Sequence, residues 1–417
     1  MAEPAPVVSV PKAAYRWELL ALLWLAFFLN QADRQIFSVV LPLIRQDLGL
    51  SDAELGLIAS ALVWTYGLLV PIAGFVGDRF SRRNILGFCL LFWSGATLFT
   101  GLCSTVTQFI LLRGLGTGGG EAFYAPSANA LLSENYRNRS FALSIHQTAV
   151  YFGIVLSGLI AGYIGQHYGW RNAFYLFGSL GVVLALVFFN RIPKDAPNAG
   201  GVIVGSVRAE ITRTARTIAR KPTVVMLTLG FGCMVFVNVG YLTWMPSFLV
   251  EKFGLSLTQA GFLSLFYHHL GAFLGVLSGA RLSDHFAKTN PRSRLVVQAL
   301  GLLLGAPFIY GISTSDTPTL TYAALFLFGT FRGWYDSNIV ASLYEVVSPT
   351  MRSSAYGLVL ACAFLIGSSA PYLLGKLKPT LGLSVGLASL SGVYVLGGLF
   401  IASGAFWFFD RDRERSV

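Results

Sequence analysis

The ten residues Gly74-Phe75-Val76-Gly77-Asp78-Arg79-Phe80-Ser81-Arg82-Arg83 crowd one acid and three arginines into a stretch with apolar chain on both sides, residues 55–77 before it and 84–104 after it. A hydrocarbon core about 30 Å thick takes roughly 20 helical residues to cross. The stretch therefore reads as a tight turn between two membrane spans. Working outward, further apolar segments of spanning length fall near 17–43, 106–133, 140–166, 173–191, 223–249, 258–282, 294–314, 318–345, 352–376 and 384–409. Twelve spans predict an all-α polytopic membrane protein.

Composition agrees. Of 417 residues 54% are hydrophobic and 12% charged, and the mean hydropathy is +0.64, which excludes a soluble enzyme. With 45 Gly and 16 Pro the chain is neither collagenous nor of low complexity. Cys89, Cys103, Cys233 and Cys362 lie in or beside apolar segments without ligand spacing, so they read as packing residues rather than a zinc site or disulfide framework. The formal charge of +11 raises nucleic acid as a partner. However, most Lys and Arg residues fall at the termini and in the even-numbered loops, so the positive-inside rule puts both termini in the cytoplasm and accounts for the charge. No nucleic-acid partner is expected.

The organisation that follows is a cytoplasmic tail (1–16), a six-helix bundle (17–191), a basic linker (192–222), a second six-helix bundle (223–409) and a short cytoplasmic tail (410–417). The linker stretch from Val207 to Arg220 has the pattern of a basic amphipathic helix. Charges repeat across the divide: Asp78 and Arg82 are echoed by Asp284 and Lys288, Arg113 by Arg332, and Glu134 and Arg139 by Glu345 and Arg352. Three pairs in one order point to a duplicated six-helix unit. Two such bundles around a midplane site are the architecture of alternating access.

The opening stretch resembles the loop signature that the major facilitator superfamily carries between helices two and three, matching at Gly74, Asp78, Arg79, Arg82 and Arg83, with Ser81 where many members have Gly. An acid at a helix end with arginines one turn on can bridge neighbouring helix ends, and breaking the bridge lets one bundle rock. A gating set is thus expected at these residues together with Glu134, Arg139, Asp284, Glu345 and Arg352; the plainer reading is a topological anchor. Within the superfamily the chain looks like the Spinster-like group. That resemblance rests on Asn30-Gln31-Ala32-Asp33-Arg34, on Arg113-Gly114 with Gly120-Glu121-Ala122-Phe123-Tyr124, on Ser348-Pro349-Thr350-Met351-Arg352-Ser353-Ser354-Ala355 and on Pro371-Tyr372-Leu373-Leu374-Gly375. It implies protonation at the acid of the Asp-Arg pair and at the acid after the span-four glycines, here Asp33 and Glu121, and an amphiphilic substrate such as a lysophospholipid or sphingoid lipid.

The residues stand out without the family as well. An ionisable group at the bilayer centre costs about 2.5–3.5 kcal/mol on insertion scales, so it faces a partner or a wet cavity. Asp33, Arg34, Arg113, Glu121, Arg332 and Asp336 all fall inside spans. Arg332 and Asp336, four apart, suit a structural ion pair. Asp33 and Glu121, with Arg34 and Arg113 as charge partners, suit proton carriage, because burial disfavours a carboxylate and a nearby guanidinium favours it. Substrate choice is expected at Tyr241, Trp244, His268, Arg332, Trp334, Asp336 and Asn338, where the sequence departs from the group. The glycines from Gly114 to Gly120 follow no strand and read as helix packing, not as a dinucleotide loop.

The expectation is a proton-coupled, monomeric secondary transporter in a bacterial inner membrane, with lipid bilayer, protons and a small-molecule or lipid substrate as its partners. No catalytic residue, cofactor or metal is foreseen. A symporter of a small organic anion such as a sugar acid is the alternative. A receptor without net transport is a third, for which the short tails offer no signalling domain.

Overall fold

The computed structural model describes residues 13–136, 138–193 and 207–413. Most of the N-terminal tail, the first half of the linker and the last four residues lie outside these. The helices are α1 (Ala13–Leu48), α2 (Asp52–Arg79), α3 (Arg82–Thr100), α4 (106–135), α5 (Arg139–Tyr168), α6 (Trp170–Arg191), the linker helix α7 (Val207–Ala219), α8 (Pro222–Phe253), α9 (Leu257–Ala287), α10 (Ser293–Thr314), α11 (318–346), α12 (352–381) and α13 (383–412). Twelve of these thirteen are the spans expected from hydropathy. Seven stretches among the described residues are long and apolar enough to cross a membrane on composition alone, the last holding both α12 and α13. The spans that fall short include α1, α4 and α11, which carry the six charges foreseen within spans and, for α4 and α11, breaks in the helix.

The duplicated sequence produces duplicated local structure. Ser51 caps α2 in a capping box with Glu54, and Ser256 caps α9 in the same way with Gln259. Thr105 caps α4 and Thr317 caps α11. In each case a hydroxyl satisfies an amide the helix leaves unpaired. At the end of the molecule away from the termini the chain turns at Gly49, Gly169, Gly254 and Gly382, all with positive φ. The single residue Gly382, at φ 74°, reverses the chain between α12 and α13, a conformation L side chains rarely adopt. Packing repeats too. In the first bundle α1 packs on α5 and α3 on α6; in the second α8 packs on α12 and α10 on α13.

The bundles meet along two seams in the half away from the termini. On one, Gly158 of α5 lies against Gly261 of α9; a Cβ on Gly158 would sit 2.3 Å from the Gly261 carbonyl oxygen, and one on Gly261 would sit 2.5 Å from that of Gly158. On the other, a Cβ on Gly56 of α2 would sit 2.2 Å from the Pro371 oxygen of α12, and one on Gly375 2.2 Å from the Asp52 oxygen. Close backbone approach of this kind is how helices associate where no hydrophobic drive exists between them. Charges complete the closure. Lys378 of α12 lies 3.0 Å from Asp52 and 2.6 Å from Glu251, and Arg45 of α1 lies 3.3 Å from Asp52 and 3.8 Å from Glu251. Lys378 and Asp52 are both buried, at 8% and 5% side-chain exposure. Removing one partner of a buried pair costs about 3–5 kcal/mol, so Lys378→Met is expected to lower the unfolding midpoint clearly. Adding Asp52→Asn should recover part of the loss in a double-mutant cycle, and strictly additive losses would disprove coupling across the seam.

At the face that carries the termini, the ion pairs among the described residues stay within a bundle. Arg82 at the start of α3 pairs with Glu134 near the end of α4, and Arg294 at the start of α10 pairs with Glu345 at the end of α11 at 2.9 Å and with Asp284 of α9 at 3.3 Å. These are equivalent positions of the two bundles, and the partner of the second pair is Arg294, which the charge pattern had not singled out.

Candidate functional site

The unusual winding of α4 sets the centre of the first bundle. Val106–Phe109 is α-helical, Ile110–Gly118 winds as a π-helix, and after Gly119–Glu121 the helix is interrupted at Ala122 and Phe123 before Tyr124–Asn135. Such π-helical segments recur at functional sites, and this one carries Arg113 and leads directly into Glu121. Both residues are buried, at 2% exposure. Asp33 of α1 is 1% exposed.

The charges pair differently from their sequence order. Arg34 does not serve its neighbour Asp33: its Nε lies 2.6 Å from Glu121 Oε2, and its guanidinium covers the Tyr66 ring of α2 at 4.2 Å. Arg113 donates from both terminal nitrogens to the backbone carbonyl of Asp33 at 3.3 Å and sits between the rings of Phe37 and Phe174, at 5.0 and 5.7 Å. Both Asp33 carboxylate oxygens are buried without a hydrogen bond, with the Glu121 carboxyl, the Arg113 guanidinium and Thr97 of α3 among the groups near them. Glu121 Oε1 and Arg113 Nε are likewise buried and unbonded. Buried polar atoms normally find partners, and here several unbonded ones cluster around two acids.

The second bundle centres on Arg332 of α11. It donates to Asn238 Oδ1 at 2.5 Å and to His268 Nε2 at 3.0 Å, and its Nε lies 3.3 Å from Asp336. Because an arginine only donates, His268 Nε2 accepts and its proton sits on Nδ1, which has no acceptor.

Between the bundles lies a cavity of about 230 Å³ lined by Gln31, Arg34 and Gln35 of α1, Arg113 of α4, Asn238 and Thr243 of α8, His269 of α9 and Arg332 of α11, with Leu62, Phe364 and other apolar groups. Three arginines, from both bundles, line one space.

Of the residues expected to contact substrate, Arg332 lines this cavity and the others stand behind it or elsewhere. Asp336 and His268 hold Arg332. Tyr241 donates to the Ser264 carbonyl at 2.5 Å and packs on His268 with ring centroids 4.9 Å apart. Trp244 donates to the Pro371 carbonyl at 3.0 Å at the closed end, under Lys378. Trp334 points about 200° round α11 from Arg332 and donates to Ser278 at 3.1 Å. Asn338 sits at the break in α11, bonded to the Trp334 carbonyl at 3.1 Å. Sequence reasoning gave no site role to Gln31, Gln35 and Asn238, while His269 was noted only as a departure from the group beside His268. The first two were signalled by helical spacing, since Gln31, Arg34, Gln35 and Ser38 share one face of α1.

Of the gating residues, the side chains of Asp78 and Arg79, with Gly74, lie outside the described residues. Arg83 donates from Nε to the Ile192 carbonyl at 2.6 Å and bonds the Phe189 carbonyl, tying α3 to the end of α6. Arg139 opens α5 and is exposed, and Arg352 donates to the Tyr344 carbonyl at 3.1 Å. Asp284, Glu134 and Glu345 are in the pairs described above.

Twelve spans in two equivalent bundles, a broken fourth helix and a charged cavity at the interface define a class. The sequence profile of the Major Facilitator Superfamily matches residues 23–371, and the chain belongs to that family. Within it the chain is Spinster-like. It is 28% identical to protein spinster homolog 1 of Xenopus tropicalis over 95% of this chain and 82% of that protein, and 30% identical to protein spinster of Drosophila melanogaster over 90% and 64%. An MFS-type efflux pump of Mycolicibacterium smegmatis is 28% identical over 91% and 88%. Among solved structures, a bacterial homologue of the human lysosomal transporter Spinster, inward-facing and unoccupied, superposes with TM-score 0.79 at 22% identity, covering 98% of this chain and all of that one. The relatives are transporters, and the fold is that of an alternating-access transporter rather than an enzyme.

Proposed function

We propose that this transporter is proton-coupled, carries Asp33 and Glu121 as its protonation sites, and moves an amphiphilic substrate with an anionic group, such as a lysophospholipid. The observation that supports this reading most is the burial of two incompletely bonded carboxylates, Glu121 paired with Arg34 and Asp33 beside Arg113, with both arginines in the wall of the cavity the bundles share. Protonating Glu121 would release Arg34 to the cavity, and a substrate anion would take up the guanidinium groups. Proton and substrate would thereby bias the same interface. An excess of Lys and Arg beside the termini supports a cytoplasmic position for that face, and on that reading closure at the opposite face makes this conformation inward-facing. The bundles are residues 17–191 and 223–409, with cytoplasmic tails at 1–16 and 410–417 and a basic linker at 192–222; the protein acts as a monomer in a bacterial inner membrane.

A second reading, symport of a small organic anion such as a sugar acid, is favoured by one observation. A cavity of about 230 Å³ with three arginines suits a compact anion as well as a lipid headgroup. Thermal unfolding of the purified protein against lysophosphatidylcholine, sphingosine and glucuronate separates the two, because a ligand at a hundred times its Kd stabilises by about 2.7 kcal/mol. A shift with lysolipid alone is expected; a shift with glucuronate alone would replace the first reading with the second. Arg113→Gln should weaken the effective ligand roughly ten- to hundredfold, the loss of a hydrogen bond to a charged group, and unchanged affinity would remove Arg113 from the binding site.

A further inference from the structure

A groove larger than the central cavity lies away from the interface between the bundles. It lies on the outer wall of the first bundle, between α3 and α4, encloses about 470 Å³ and is lined by Phe88, Cys89, Leu91 and Phe92 on one side and by Gly119, Gly120 and Phe123 on the other. Every one of these groups is apolar or backbone. Phe88 and Phe92, four apart on one face of α3, are 62% and 59% exposed, so the groove opens sideways. The missing side chain at residue 120 keeps its α4 wall open: a Cβ on Gly120 would already meet Trp93 at 3.0 Å and Phe92 at 3.2 Å.

Depth identifies the occupant. Phe88 is six residues from Arg82 and Phe123 eleven from Glu134, about 9 and 16 Å at helical rise. The Arg82–Glu134 pair that joins the ends of α3 and α4 therefore stands about 9–16 Å above the groove, so the groove reaches through roughly one leaflet, about 15 Å. Water is not available to an apolar crevice at that depth, whereas a hydrocarbon chain hanging from the leaflet surface is. The groove shares no lining residue with the central cavity, so a molecule seated here does not have its headgroup among the three arginines.

We propose that this groove is a seat for one acyl chain of a resident bilayer phospholipid from the leaflet beside the termini. The chain would fill the space opposite Gly119 and Gly120 and so brace the interrupted helix that holds Arg113 and Glu121. This site is distinct from the transport pathway and does not depend on what the transporter carries.

The test uses the whole protein in phospholipid liposomes doped with a phosphatidylcholine bearing a diazirine midway along one acyl chain. After illumination, peptides containing residues 88–92 and 123 should be labelled well above the comparably exposed Leu180 and Val183 of α6, which are 50% and 58% exposed. Equal labelling at the two places would overturn the proposal. As a second arm, Leu91→Trp fills the groove and should retain one phospholipid fewer than the unmodified protein in native mass spectrometry. Leu180→Trp should retain the full number. Identical lipid counts in all three folded proteins would likewise overturn it.

Discussion

Glu121→Gln is expected to insert, fold and bind substrate, yet to lose accumulation driven by a pH gradient. The amide oxygen of glutamine can still accept from Arg34 Nε, which lies 2.6 Å from the carboxylate in the native protein, and Arg34 keeps its stack on Tyr66. Exchanging a charge-assisted bond for a neutral one costs roughly 1–3 kcal/mol, an amount a folded bundle tolerates. What glutamine cannot do is change charge. If protonation of Glu121 is the event that frees Arg34, the variant is fixed near its protonated condition and its conformational equilibrium becomes flat against pH, whereas that of the unmodified protein shifts as pH falls and the acid takes up its proton. Asp33→Asn should act in the same direction, with a smaller change in stability because the Asp33 carboxylate makes no hydrogen bond to lose. Uptake into liposomes, with and without an imposed pH gradient, reads both. Full gradient-driven uptake in both variants would end the proton-carrier assignment, and joint loss of folding would make the acids structural.

Gly261→Leu should move the molecule to its other state. The seam between α5 and α9 has backbone on both sides, with Gly158 and Gly261 each occupying the space a Cβ would need, 2.3 and 2.5 Å from the opposite carbonyl oxygen. Neither oxygen can swing aside as a side-chain tip would. Overpacking typically costs about 1–3 kcal/mol, and here the cost falls only on the conformation in which the seam is shut. Each 1.4 kcal/mol is about tenfold in population, so the equilibrium should shift at least several-fold toward a state open on that side. Spin labels at the ends of α5 and α9 away from the termini should show a longer distance population, and an unaltered distribution would mean that this seam is not the closing contact.

The fold was largely legible in the sequence because hydropathy and charge bias report on the bilayer, which acts on every span alike. Helices such as 222–253 and 293–314 begin within a residue of where the apolar runs do. The winding of α4 was less legible: a run of glycines announces close packing, but not that residues 110–118 take up π-helical geometry. The charges within the spans were found by their cost in hydrocarbon, yet their pairing was not, since Arg34 turns away from its neighbour Asp33 to Glu121. Pocket lining was the hardest to read. Trp244, Trp334 and Asn338 look like ligand-binding residues by type, and each spends its polar group on the protein itself, while His269 lines the cavity one residue from the histidine that supports it. One-dimensional spacing fixes the helix face only when several polar residues share it, as Gln31, Arg34 and Gln35 do, and a lone tryptophan carries no such signal.

The turns opposite the termini carry a consequence of their own. They occupy residues 49–51, 101–105, 169, 254–256, 315–317 and 382, and four of them are shaped by a glycine with positive φ. A surface made of turns one to five residues long offers almost no epitope, no peptide for a protease to thread and no handle for a docking protein. A binder raised against that side would have to recognise the rims of helices, whereas antibodies, adaptors and degradation machinery would find their footing at the face that bears the termini and the linker. The protein is therefore close to featureless from one compartment and addressable from the other, and tags, reporter fusions and selection of conformational binders should be planned accordingly.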